Sequence, residues 1–128
     1  MDVTITVPPG ELIDKITILE IKQAWIKDPA KLSNINHEFA VLAAVMAGAI
    51  VVTPEITALR AELKTENEAI WQAEEDLRAL ERRKDFGPAF IAAARSVYHH
   101  NDRRAELKRR LNSLLGSRIV EEKSHAPY

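Results

Sequence analysis

Two adjoining stretches decide the fold: PEITALRAELKTENEAIWQAEEDLRALERR over Pro54–Arg83, and PAFIAAARSVYHHNDRRAELKRRLNSLL over Pro88–Leu115. In the first, Ile56, Leu63, Ile70 and Leu77 recur every seven residues, and Leu59, Ala73 and Leu80 fill most of the companion row. Such a repeat keeps one seam of a helix turned towards a partner helix. In the second, Phe90, Ala94, Val97, Leu111 and Leu115 mark a comparable stripe. Phe86-Gly87-Pro88 separates the two, so the spacing predicts an antiparallel helical hairpin.

Polar residues interrupt both stripes. Asn67, Trp71, Glu74, Arg78 and Glu81 share the sector of the first seam, and Asn101, Arg104 and Lys108 interrupt the second. A charge on a buried face is costly unless it is paired. These groups therefore either pair as a network or line a site.

Working outwards, Thr53-Pro54-Glu55 starts the long helix, with the acid placed against the helix dipole. Asp28-Pro29 starts a shorter helix that runs to about Ala47, with Gly48 read as its terminator. Glu11–Lys27 has helical spacing and two apolar faces: Leu12, Ile13, Ile16, Leu19 and Ile26 on one, Ile18, Ile21 and Trp25 on the other. A helix apolar on two sides is sandwiched, within the domain or against another subunit. Asp2–Val7 alternates polar and apolar residues as a short strand would, and Pro8-Pro9-Gly10 stops it. Gly116 suits a left-handed cap at the end of the last helix. Ile119 and Val120 lie in an extended segment, 118–122, that suits pairing with the N-terminal strand, and 125–128 reads as a loose tail. The expected fold is mainly α: one domain, 1–128, holding a four-helix antiparallel bundle with helices near 11–27, 29–47, 54–84 and 88–115.

Composition narrows the function. Lys+Arg 18 against Asp+Glu 19 leaves a net charge of −1, which argues against a dedicated nucleic-acid binder. Arg103, Arg104, Lys108, Arg109 and Arg110 wrap around their helix with no aromatic among them. With no cysteine there is no disulfide, thiol chemistry or thiolate ligand. The longest uncharged apolar run, Phe39–Val52, falls short of the roughly 20 residues that a bilayer span needs. Met1–Gly10 lacks the pattern of a signal peptide, so a cytoplasmic location is expected.

No phosphate loop, dinucleotide fingerprint or nucleophile elbow occurs. His99 and His100 point apart on a helix, and no His-x-x-x-His pair exists, so no zinc site is expected. Glu11-Leu12-Ile13-Asp14 matches only half of the acidic repeat of all-α nucleotide pyrophosphatases. Glu74 and Arg78 have the spacing of an ion pair on one helix face. Arg95, Tyr98, Asn101 and Asp102 fall within two turns, a guanidinium, a phenol and an amide suited to a carboxylate, a phosphate or sugar hydroxyls. Equally, a core Asn can set the register between helices. Glu20 and Asp14 sit beside apolar neighbours on the first helix and call for basic partners.

Gly10–Lys22 (GELIDKITILEIK), Lys31–Glu38 (KLSNINHE), Phe90–Asn112 and Gly116–Ser124 (GSRIVEEKS) together resemble a bacterial family of small helical proteins, a domain of unknown function. The likeness covers nearly the whole chain. Members of that family occur alone or beside tetratricopeptide-repeat and glycosyltransferase-type proteins, which implies a link to surface-glycan or nucleotide-sugar metabolism. The family has no established catalytic residues to carry over. An aromatic often follows the last Ser of its final motif, where this chain has His125.

Three readings follow. The first is a homodimeric binding or accessory module for a small anionic or sugar-containing ligand, or for a partner protein. Its recognition groups would be Arg95, Tyr98, Asn101, Asp102 and Arg104, faced by Glu74 and Glu81. The second is an enzyme acting on a nucleotide or sugar phosphate, with Glu20, Glu74 and Glu81 holding Mg²⁺ and Lys108 or Arg104 meeting phosphate. The third is a structural oligomer whose polar layer sets pairing. Beyond that Mg²⁺, the residues leave any cofactor unknown.

Overall fold

A computed structural model describes residues 1–128. It holds four helices: α1 (Pro9–Trp25), α2 (Pro29–Ala49), α3 (Pro54–Arg82) and α4 (Pro88–Leu114). The fold is a four-helix antiparallel bundle made of two hairpins, α1/α2 and α3/α4. The starts are built as their sequences require. Each helix has Pro in its first turn. The Ala30 amide donates to Asp28 Oδ1 at 2.9 Å and the Ile56 amide to Thr53 Oγ1 at 3.3 Å. At the far end of α4, Gly116 is left-handed at φ 66°, and the Ser117 amide reaches back to the Asn112 carbonyl at 2.8 Å.

Two local expectations fail. Residues 2–7 form no strand and make no backbone hydrogen bond, so the pairing with 118–122 is absent. A strand needs a ladder partner, and alternation alone cannot supply one. Gly48 does not end α2 either. The helix continues to Ala49 because Met46 is anchored in the core and its carbonyl accepts from the Ile50 amide at 2.9 Å.

α1 is the only helix that packs against all the others. Along it, Gly10, Glu11 and Asp14 meet Asn112, Lys108 and Arg104 of α4, while Asp14 and Glu20 meet Asn67 and Arg60 of α3. Partner numbers fall along both arms, and the arms are antiparallel, so α1 crosses the open end of the hairpin obliquely. The core lies at that crossing: Ile13, Ile16, Ile56, Leu63 and Leu111 are almost wholly buried. The two apolar faces of α1 are thus used within the chain, by α2 and by the hairpin, although Trp25 stays exposed. Beyond the crossing the hairpin is only two helices thick, and its seam residues Ile70, Leu77 and Val97 are half-buried. No helix is long and apolar enough to cross a membrane.

Candidate functional site

The polar residues that break the seams converge on α1. Asp14, only 1% exposed, is the hub. Arg104 grips it with both forks, Nε to Oδ1 at 2.9 Å and Nη2 to Oδ2 at 2.5 Å, and Asn67 Nδ2 adds a third bond at 2.9 Å. Asn67 also donates to Thr17 Oγ1 at 3.0 Å, and the Thr17 hydroxyl donates to the Asp14 carbonyl at 2.7 Å. The hydrogen bonds to Asp14 push the Arg104 guanidinium above its ordinary pKa, so it is always charged. Every buried side-chain nitrogen and oxygen has a partner. The centre is therefore a completed network, which a low-dielectric core requires.

Around it lie further pairs. Lys108 Nζ donates to Glu11 Oε2 at 2.6 Å and lies 3.6 Å from Glu121. Glu20 is held by Arg60 at 2.8 Å and Lys64 at 3.5 Å, the basic partners its position called for. Glu66, at a seam position, binds His100 at 2.6 Å and Arg103 at 3.0 Å.

Where α4 leaves this network, the C-terminal segment folds back beside it. Between them is a cleft of about 240 Å³ lined by Asn101, Arg104, Lys108, Asn112, Ser113 and Glu121, among others. Several donors there are unspent. Arg104 Nη1 has only Asn101 Oδ1, at a long 3.4 Å. Asn112 uses its oxygen to hold the buried Gly10 amide at 2.7 Å, which leaves its NH₂ group free. A wider groove of about 490 Å³ lies on the other side of Arg104, between α1 and α3. Ile18, Ile21, Ile70 and Trp71 line it together with Glu74 and Arg78.

A family of unknown function, DUF6165, has a sequence pattern that matches residues 1–127. The chain belongs to that family. No curated protein and no solved structure matches it.

Of the residues singled out in this DUF6165 chain, Asn101, Arg104 and Lys108 share the small cleft, and Glu74 shares the wider groove with Arg104. Tyr98 and Asp102 lie under the tail: Tyr128 hydrogen-bonds Asp102, its ring sits 5.2 Å from Tyr98, and Lys123 approaches Asp102 at 3.4 Å. Arg95 and Glu81 are exposed and make no ion pair or side-chain hydrogen bond. Glu74 and Arg78 do not pair. Glu20, Glu74 and Glu81 are not gathered, since no three acidic or imidazole side chains lie close enough to hold an ion. Asp14 is the residue whose central place the sequence reading missed. The available signal was a matched anomaly: an acid among apolar residues on the first helix, and an arginine on the apolar seam of the last.

The tail contact is pH-dependent. The Tyr128 hydroxyl, followed by Lys123, holds the Asp102 carboxyl below its ordinary 3.8, and Asp102 raises the Tyr128 phenol above its ordinary 10.0. Asp102 is depressed on docking, so its contribution is present above the undocked value and lost as pH falls through the docked one. Tyr128 is raised, so its contribution is present below 10.0 and lost as pH rises through its docked value. The Tyr128 ring resonances should therefore move to free-peptide values at both extremes of pH. A Tyr128 side chain that stays docked at both extremes contradicts this assignment.

Proposed function

We propose that the protein is a binding module that takes a small anionic, oxygen-rich ligand, such as a sugar phosphate or a sugar acid, in the cleft between α4 and the C-terminal segment. One observation carries this reading: cationic and amide donors outnumber carboxylates there, and two of them, the Asn101 and Asn112 NH₂ groups, have no partner. Arg104 Nη1, the Asn101 and Asn112 amides and Lys108 Nζ all border the same small volume. A planar guanidinium and two amides provide directed N–H groups for a carboxylate, a phosphate or hydroxyls. The Asp14 network fixes Arg104 before any ligand arrives, which lowers the ordering cost of binding. Glu121, 3.6 Å from Lys108, lies where a ligand anion would compete for that ammonium. The family likeness to proteins found beside glycosyltransferase-type partners points to the same ligand class.

Calorimetric titration with inorganic phosphate, hexose phosphates and hexuronic acids tests this. Binding is expected for at least one anionic sugar. Asn101→Ala should weaken it roughly tenfold to a hundredfold, the worth of about 1.5–3 kcal/mol for a hydrogen bond to a charged group. Glu121→Gln should tighten it by removing the internal competitor. An absence of binding across the series, or unchanged affinity in both variants, rejects the reading.

A further inference from the structure

We infer that the segment 117–128 is an autoinhibitory strap over the cleft beside α4: Glu121 takes the Lys108 ammonium that an anion would use, and Tyr128 latches the strap on Asp102. This role depends on that cleft being an anion site. The chain reverses at Gly116, whose φ of 66° turns it back alongside α4. From there its contacts climb the helix in order. The Ser117 amide meets the Asn112 carbonyl at 2.8 Å, Glu121 lies 3.6 Å from Lys108, and Lys123 lies 3.4 Å from Asp102. The Tyr128 ring ends the run, 5.2 Å from Tyr98 and 4.4 Å from His99. Asp102 holds the strap twice, because the Tyr128 hydroxyl also donates to it.

The strap is built to open. Past Ser117 no backbone–backbone hydrogen bond holds it, and every residue from Arg118 to Tyr128 is exposed. A cavity of about 930 Å³ lies between its last residues and α4, with Asp102, Arg109, His125 and Pro127 among the walls. A permanently seated segment would fill such a space with apolar side chains. Exposed ion pairs each add little to stability, so docking that depends on two of them and one phenol is readily reversed.

Charge gives the strap its inhibitory sense. The donors Asn101, Arg104, Lys108, Arg109 and Asn112 in the cleft wall all belong to α4. The carboxylates in that wall, Glu121 and Glu122, both belong to the strap, and the strap's own cation there, Lys123, is engaged by Asp102. An anion entering the cleft meets two like charges and has to displace one of them from Lys108. Strap and anion therefore compete, and by linkage each weakens the binding of the other.

Tyr128→Ala unlatches the strap without changing any charge, and its side chain is exposed, so circular dichroism should show an intact helical fold. Trypsin cleavage after Lys123, followed by the mass of the released peptide, should be about tenfold faster than in the wild type, because it tracks the undocked population. Asp102→Ala removes both latch contacts and should accelerate cleavage at least as much. In calorimetry with inorganic phosphate, a hexose phosphate and a hexuronic acid, Tyr128→Ala should bind its anion about tenfold more tightly than the wild type does. That gain corresponds to a wild-type strap that is open about a tenth of the time. The same anion should speed cleavage of the wild type after Lys123. Equal cleavage in the wild type and Tyr128→Ala overturns the latch. Faster cleavage with unchanged or weaker affinity overturns the inhibition and leaves the anion site standing. No binding by any of the three proteins rejects the anion site itself, and the inhibitory role falls with it.

Discussion

Replacing Asp14 with alanine should lower the melting temperature by roughly 10 °C. Removing one member of a buried ion pair costs about 3–5 kcal/mol because the other charge is left uncompensated. The lower end of that range applies here, since Arg104 keeps 29% of its side chain exposed and its stranded charge can reach water. About 3 kcal/mol corresponds to roughly 10 °C in a domain of this size. Asn67 is not orphaned, because Thr17 Oγ1 still accepts from it at 3.0 Å. The double variant Asp14→Leu with Arg104→Met should recover most of the loss, since apolar residues of similar volume replace buried ion pairs at little cost. Thermal melts of both variants decide the matter. If the double variant melts as low as the single one, the loss is one of packing and the charge pairing is not what stabilises the crossing.

Gly10→Ala is the second large effect. A Cβ at this position would sit 2.6 Å from the Lys108 carbonyl oxygen and 2.6 Å from Asn112 Oδ1. The first of these is backbone and cannot rotate away. The start of α1 must then lift off α4, which also breaks the 2.7 Å bond from the Gly10 amide to Asn112. Overpacking costs about 1–3 kcal/mol, and a stranded buried amide costs a comparable amount. A loss of order 3 kcal/mol or more should appear as a lower urea midpoint. Adding Asn112→Ala should not rescue the variant, because the carbonyl clash remains. A Gly10→Ala protein as stable as the wild type would mean that α1 and α4 are not in such close contact.

The hairpin was legible because its cause is local. Ile56, Leu63 and Leu80 lie on a repeat that the chain states outright, and they are buried as that repeat demands. Asp28 and Thr53 announce helix starts through side chains that bond amides two or three residues away. The polar breaks at Asn67, Arg104 and Lys108 were equally legible as anomalies. Their partners were not, because Arg104 finds Asp14 ninety positions away. Spacing rules end within a turn or two of helix. The same limit explains the failed pairs: Glu74 and Arg78 are well spaced yet do not bond, whereas Glu20 takes Arg60 from another helix.

By itself the sequence determined four helices, their starts, the seam that joins α3 to α4 and the presence of charge on faces that should be apolar. Each of these follows from interactions within a few residues. Only the tertiary structure decided that α1 crosses the hairpin obliquely and that Asp14 joins Arg104 and Asn67. It also decided that the segment after Gly116 folds back to form a donor-lined cleft, that residues 2–7 lack a ladder and that α2 keeps one side bare. All of these depend on which distant surfaces meet when apolar area is withdrawn from water, and that choice is made by the whole chain at once.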